Sequence, residues 1–216
     1  MQDFGFYLVM TNPVAGYAEC AAAAVRAGVK VVQLRMKHAA REDVLREARK
    51  VREITRGTET LFIVNDDPEI AAECGADGVH VGQSDMPVHE VRRLYPSLRV
   101  VGLSTHNPDQ VVAAAAEKPD YIGVGPVYAT PTKDIPDPTL GLATLSRMVS
   151  LAPCPAVAIG GIDEKRLPDV IAAGARNWSV VRAVCRDPDP GAAIARLLET
   201  EREARRGAAS PSGTQA

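Results

Sequence analysis

The sequence predicts a (β/α)8 TIM barrel, an α/β fold in a single domain over residues 1–206, with a disordered polar tail over 207–216. Three observations lead there. Eight short, β-rich apolar runs recur along the chain. Between them lie Ala-, Arg- and Glu-rich segments whose apolar positions fall at helical spacing. Three junctions also repeat one pattern: RAGVKVVQLR, ECGADGVHVG and AAGARNWSVV. Each ends a helix, supplies a glycine (Gly28, Gly75, Gly174) where a left-handed residue must follow the helix, and enters a strand. Eight such units in about 200 residues match the barrel. The rival, an open doubly wound sheet, normally carries GxGxxG after its first strand, where this chain reads TNPVAG.

The expected strands follow in order. YLVMT (7–11) is the first, with AECAAAAVRA as the helix behind it. VKVVQLR (29–35) precedes the helical REDVLREARKVREI, and LFIVND (61–66) is the third strand. GVHVG (78–82), RVVGLST (99–105), YIGVGPV (121–127), AVAIGGI (156–162) and WSVVRAV (178–184) complete the set. All are short and rich in residues that suit a pleated, buried surface. RRGAASPSGTQA is small and polar, which suggests the tail.

Strand parity sorts the second run. Gln33, Arg35 and Lys37 share one side with Val29 and Val31, while Val32, Leu34 and Met36 share the other. A buried cation costs several kcal/mol unless it is paired. So either this strand end is wet or an anion waits there.

Composition narrows the classes. A chain of 216 residues, 46% hydrophobic and 24% charged, can build a full core. A net charge of −2 gives no footprint of a nucleic-acid or membrane-surface binder. Cys20, Cys74, Cys154 and Cys185 are far apart and read as reduced, mostly buried thiols of a cytoplasmic protein, with no disulfide or zinc framework. MQDFGFYLVM has no basic region and carries Asp3, so no signal peptide is expected. No apolar run nears the roughly 18 residues of a membrane span. The oligomeric state is left open, a homo-oligomer included.

A barrel places its active site at the C-terminal ends of its strands, and polar residues gather there. Strand two ends in Gln33, Arg35 and Lys37, strand three in Asn65, Asp66 and Asp67. Strand four leads into Gly82, Gln83, Ser84 and Asp85, and strand five ends in Ser104, Thr105, His106 and Asn107. Strand six leads into Thr130, Pro131, Thr132 and Lys133, and strand seven into Gly160 and Gly161. Each has an ordinary reading. Asn65 and Asp66, or Ser104 to Asn107, could cap the next helix. The glycine pair could be a plain turn, and TPTKDIPDPTLG a surface loop. His80 reads as a satisfied core histidine, His38 and His89 as loop or surface residues. Convergence on one rim favours function. Lys37, Lys133 and Arg35 supply positive charge, and Asp66 and Asp85 are carboxylates from neighbouring strand ends. Mg2+ typically takes one or two carboxylates with phosphate oxygens and waters, so the set describes a diphosphate–Mg2+ site. Gly160-Gly161 sits where barrels often bind a further phosphate on backbone N–H groups. Two phosphorylated ligands follow, one of them a diphosphate.

The motifs QLRMK, VNDDPEIA, GADGVHVGQSDMP, GLSTHN, DYIGVGPVYATPTK, AIGGI and VVRAV stand in the order found in thiamine-phosphate synthases, and the chain resembles that family from about residue 7 to residue 199. The resemblance implies a barrel that joins 4-amino-2-methyl-5-pyrimidinylmethyl diphosphate to 4-methyl-5-(2-phosphoethyl)thiazole, releasing thiamine phosphate and pyrophosphate with Mg2+. It implies that Gln33, Arg35, Lys37, Asn65, Ser104 and Lys133 surround the pyrimidine diphosphate, with Lys133, Ser104, Arg35 and Lys37 catalytic. Asp66 and Asp85 would hold Mg2+. Thr130, Thr132, Gly161, Val181 and Arg182 would hold the thiazole phosphate. Two positions depart from the family: Met36 replaces the Glu of QLREK, and Arg182 replaces the Ser of VVSAI. The first should matter little, since Met36 faces away from Gln33, Arg35 and Lys37. The second puts the phosphate contact there in question. A related barrel that isomerises the thiazole phosphate has a His in place of Pro126 and lacks the full carboxylate pair. A catalytically silent sensor of thiamine intermediates is a third reading. Closure of the 128–139 loop as a lid is left open.

Overall fold

The computed structural model describes residues 2–130 and 138–209. Eight parallel strands close into a barrel in sequence order. The first four strands and their helices are β1 (Phe6–Met10), α1 (Tyr17–Arg26), β2 (Val31–Leu34), α2 (Arg41–Thr55), β3 (Leu61–Asn65), α3 (Pro68–Glu73), β4 (Gly78–Val81) and α4 (Val88–Leu94). The second half runs β5 (Val100–Thr105), α5 (Pro108–Glu117), β6 (Tyr121–Val124), α6 (Gly141–Leu151), β7 (Ala156–Ala158), α7 (Leu167–Ala172), β8 (Asn177–Val180), α8 (Arg182–Cys185) and α9 (Pro190–Ala209). β1 pairs with both β2 and β8, which closes the ring.

Closure divides the apolar residues into two cores. Leu8, Val32, Leu34, Phe62, Val64 and Val79 face outward and pack beneath the helices. Tyr7, Val9, Val31, Ile63, Val100, Tyr121 and Val157 face inward and fill the barrel. Each fully buried side chain of this size contributes about 1.5–3 kcal/mol. At the closing seam the Phe6 and Trp178 rings stack with centroids 4.3 Å apart. Gly28, Gly75 and Gly174 all have positive φ, as the three repeated junctions require. Among the described residues no helix is long and apolar enough to cross a membrane.

Several boundaries differ from expectation. β2 begins at Val31, and Val29 packs with the helix-side cluster instead of sharing the barrel interior. The Gly28 turn still governs its backbone, so strand parity does not yet apply there. β6 and β7 end at Val124 and Ala158, before the glycine-rich turns that follow. The run expected as a strand over 178–184 splits into β8 and α8, so Arg182 opens a short helix. The bend lets Val184 and Cys185 bury themselves near α9. α9 continues to Ala209, through the first three residues of the expected tail. Alanine's high helix propensity favours that extension. Residues 210–216 lie outside the described residues.

The floor of the barrel repeats one device. A polar residue at a strand start reaches a neighbouring strand's N–H. Asp77 Oδ2 accepts from Phe62 N–H (3.0 Å), Asp120 Oδ2 from Val101 N–H (2.7 Å), and Asn177 Oδ1 from Phe4 and Gly5 N–H (2.7 and 3.0 Å). Asp77 is buried and also receives Arg52 and Arg99 (3.2 and 2.6 Å). Removing it strands a buried N–H, at about 1–3 kcal/mol. Asp77→Ala should therefore lower Tm by about 2–12 °C, at 2–4 °C per kcal/mol for a chain of this size. It should leave the chemistry of the opposite rim unchanged. Thermal melts with parallel activity assays check both halves.

Candidate active site

The two carboxylates expected at neighbouring strand ends do meet. Asp66 follows β3 in a left-handed conformation (φ 63°), which Asp tolerates better than most residues. Its N–H is fixed to His80 C=O at 2.8 Å. Asp67, next along, takes the helix-capping role and accepts from Ile70 N–H at 2.8 Å. Asn65 and Asp66 are thereby left to the site. Asp85 is held by a tight turn in which Gly82 N–H donates to its Oδ2 at 2.6 Å. A side chain at position 82 would crowd that carboxylate, since a Cβ there lies 3.0 Å from Oδ2.

The Asp66 and Asp85 carboxylates lie within hydrogen-bonding reach of each other. Burial raises the Asp85 pKa, and the adjacent Asp66 adds to the rise, against the opposing pull of the Gly82 N–H and Lys37. Lys37 forms an ion pair with Asp66 at 2.5 Å. A half-buried pair of like charges with one lysine is a site that a divalent cation would relieve. Among the described residues no cluster of three or more His, Cys, Asp or Glu is placed to hold a metal. A cation here would therefore need oxygen atoms from water or a ligand.

Beneath the rim, a chain of hydrogen bonds crosses the barrel interior. Gln33 Nε2 donates to Tyr7 Oη (2.7 Å), and the Tyr7 and Tyr121 hydroxyls lie 2.8 Å apart. Tyr121 Oη meets His80 Nδ1 (3.0 Å), and His80 Nε2 meets Ser104 Oγ (2.9 Å). The direction follows from proton counting. With Gln33 Nε2 as a donor, Tyr7 accepts and passes its single proton to Tyr121. Tyr121 then donates to His80 Nδ1, which leaves the ring proton on Nε2 to donate to Ser104. The Ser104 hydroxyl proton is thereby free to point toward the rim. Burial pushes both tyrosine hydroxyls well above their ordinary pKa, so they stay protonated. Glycine makes the space: a Cβ on Gly102 would sit 2.2 Å from Tyr121 Cζ and 2.5 Å from His80 Nδ1.

The other expected residues divide. Arg35 is half-buried just above Gln33, and Lys37 is exposed beyond it. Thr105 bonds Gly123 C=O, His106 bonds Gly125 C=O and Asn107 caps α5, while Ser104 joins the chain of bonds beneath the rim. Gly160 and Gly161 have φ of 103° and 66°, and among the described residues nothing accepts from the N–H of Gly160, Gly161 or Ile162. Thr130 is half-buried, Val181 precedes α8, and Arg182 is exposed at its first position. Thr132 and Lys133 lie outside the described residues. Met36 packs toward the helices, away from the site. Tyr7 and Tyr121 were missed as polar residues because they read as strand apolars; their inward parity and the facing Gly102 were the available signal. Burial pushes the Cys20 thiol up to about 12 and those of Cys154 and Cys185 to about 11. None of these three is a ready nucleophile.

A family model described as thiamine monophosphate synthase matches residues 6–184. The chain is 44% identical over 200 residues to a thiamine-phosphate synthase of Synechocystis, covering 92% of this chain and 57% of that protein. It is 39% identical over 196 residues to one of Methanoregula boonei, covering 89% and 91%. The chain thus spans little more than half of the Synechocystis protein but most of the Methanoregula one. Among solved structures it resembles a thiamine phosphate pyrophosphorylase from Pyrococcus furiosus, with a TM-score of 0.85 and 27% identity over 94% of this chain and 97% of that one.

The carboxylate pair sets a pH-dependent expectation. The Asp85 pKa is raised in the folded chain, so the folded state holds the extra proton. Its contribution to stability is then present at low pH and is lost as pH rises through that titration. Mg2+ should raise Tm more at pH 7–8 than at acid pH, once Asp85 has begun to protonate. Asp85→Asn should stabilise the metal-free protein at neutral pH and remove most of the Mg2+-induced shift. Thermal melts across pH, with Mg2+ or EDTA, read this directly.

Proposed function

We propose an activity from the premise that the chain belongs to the thiamine monophosphate synthase family. On this reading the protein is a transferase of thiamine biosynthesis. It joins 4-amino-2-methyl-5-pyrimidinylmethyl diphosphate to 4-methyl-5-(2-phosphoethyl)thiazole and releases pyrophosphate. The observation that carries the reading is the Asp66–Asp85 pair with Lys37 beside it, on the rim that also bears the glycine turn. A tautomerase that only isomerises the thiazole would have no use for that pair.

Asp66 and Asp85 would hold Mg2+, which when bound supplies positive charge against the diphosphate oxygens. Arg35, Lys37 and Lys133 bind the same diphosphate, and the Ser104 hydroxyl donates to it. Gln33 lies one layer deeper than the cations, bonded to Tyr7, so it faces the pyrimidine ring end of the substrate. Asn65, which the strand register sets level with Arg35, would reach the same substrate. The C–O bond from the pyrimidine CH2 to the diphosphate breaks, and the ring amino group stabilises the cation left behind. The thiazole nitrogen then forms the C–N bond. The chain's work is to hold the departing diphosphate and keep the nitrogen in line. Gly161, Thr130, Thr132 and the Val181-Arg182 step would fix the thiazole phosphate.

Purified protein with both substrates and Mg2+ should form thiamine phosphate and pyrophosphate. Asp66→Asn should slow turnover by about 10²-fold, the scale of losing one key electrostatic group. Full activity in excess EDTA would rule out the metal role. Arg182 is tested separately. An exposed guanidinium at the start of α8 can give a phosphate two parallel N–H bonds where serine gives one. Arg182→Ala should raise KM for the thiazole phosphate selectively. Steady-state kinetics with each substrate varied in turn decides, and equal effects on both would remove the assignment.

A further inference from the structure

Arg166, just ahead of α7, touches both loops that the proposed function assigns to the thiazole phosphate. Its Nη1 donates to Gly161 C=O at 2.7 Å. Its guanidinium lies over the Tyr128 ring, 4.9 Å from the centroid. The two loops are themselves in close contact. Val127 N–H donates to Ile159 C=O (2.9 Å) and Tyr128 N–H to Gly160 C=O (3.0 Å). A Cβ on Gly161 would stand 2.8 Å from Tyr128 Cβ and 2.9 Å from Ala129 O. Only glycine lets the chains approach this closely.

We propose that Arg166 is a positioning residue that clamps the Tyr128–Thr130 segment to the Gly160-Gly161 turn and so sets the spacing of the two halves of the phosphate subsite. This rests on the activity proposed above. The peptide plane supplies the link. Carbonyl and N–H of one trans peptide point in opposite directions. Holding Gly161 C=O toward Arg166 therefore turns Ile162 N–H the other way, where among the described residues no acceptor meets it. On the other side, the guanidinium face fixes Tyr128, two residues before Thr130. The Tyr128 hydroxyl is buried and has no hydrogen-bond partner among the described residues, so its ring and not its oxygen is what the clamp uses. Asp163 lies farther off, at 4.0 Å from Nη1, and leaves both contacts in place.

Four substitutions and one double variant separate positioning from charge. Arg166→Ala should raise KM for the thiazole phosphate about 5–20-fold and leave the pyrimidine KM within about twofold, a coupling of the usual size between linked sites. Tyr128→Leu should act in the same direction, and the double variant should be no worse than the stronger single one. Tyr128→Phe keeps the ring and should restore the wild-type KM. Arg166→Lys keeps the charge but not the planar stack; full rescue by it would mean that charge alone matters and would overturn the clamp. Additive effects, or equal changes in both KM values, would also overturn it. Hydrogen exchange gives a readout independent of turnover: the Tyr128 amide should exchange faster in Arg166→Ala than in wild type. Should the wild-type protein form no product, the activity reading fails, and the exchange comparison still decides the clamp. Unchanged exchange overturns it, and faster exchange confined to the two loops supports it.

Discussion

The parallel pairing of β8 with β1 is the constraint on which the rest depends. An open sheet can leave polar groups at its edges in water. A closed one turns every second side chain into a volume that water cannot freely enter. Here that volume holds two tyrosines and a histidine, and their polar atoms must find partners inside. They find one another, from Gln33 through Tyr7, Tyr121 and His80 to Ser104. The fit depends on facing glycines, with Gly102 paired in register to both His80 and Tyr121. This chain of bonds also holds the serine side chain at its upper end. Packing below the rim and chemistry at the rim are thus one problem.

The two ends of the barrel handle charge differently. At the floor, the Asp77 carboxylate is covered by an N–H and two arginines, and Asp120 by Val101 N–H and Arg92. Those groups are satisfied within the protein and serve stability. At the rim, two carboxylates approach each other, Lys37 pairs with Asp66, and burial makes the Asp85 charge costly. Such an arrangement gains nothing for the fold alone. A shallow cavity of about 650 Å³ also opens at the floor, beside Asp3, Cys154, Arg176 and Asn177. Its buried polar residue, Asn177, is already bonded to Asp3 and to the Phe4 and Gly5 N–H groups ahead of β1, so the cavity lacks the unmet demand that marks the rim.

Much of this was legible in the sequence because period-two alternation and glycine punctuation are local signals. The eight strands, the left-handed glycines and the side shared by Gln33 and Val31 follow from neighbours within a few residues. What depends on contacts between distant segments was not legible. Tyr7 and Tyr121 are 114 residues apart, and nothing in either run announces their bond. Val29 and the 182–184 segment fooled parity in another way: apolar residues continue past the strand, and only the bend of the chain decides where it stops. The division of labour between Asp66 and Asp67 is similar. Both can cap a helix, and the left-handed backbone at Asp66 assigns the cap to its neighbour.

Under the proposed function, charge balance ties the metal to the diphosphate. Asp66 and Asp85 against Lys37, Arg35 and Lys133 leave the rim with one net positive charge. A divalent cation raises that to three. A diphosphate monoester carries about −3 near neutral pH, its last phosphate proton leaving near pH 6 as for other phosphate esters. Metal and diphosphate together therefore neutralise the rim, and either one alone does not. In a site where burial already penalises the Asp85 charge, an uncompensated ion is held weakly. Each partner must then strengthen the other's binding by the same factor, since the coupling free energy is shared. The Lys37–Asp66 ion pair is the element that would change hands: a cation held by Asp66 and Asp85 would free Lys37 for the phosphate oxygens, two residues beyond Arg35. This is a physical reason for a strand to end in alternating polar residues, with an anion's charge completing the side that the protein leaves positive.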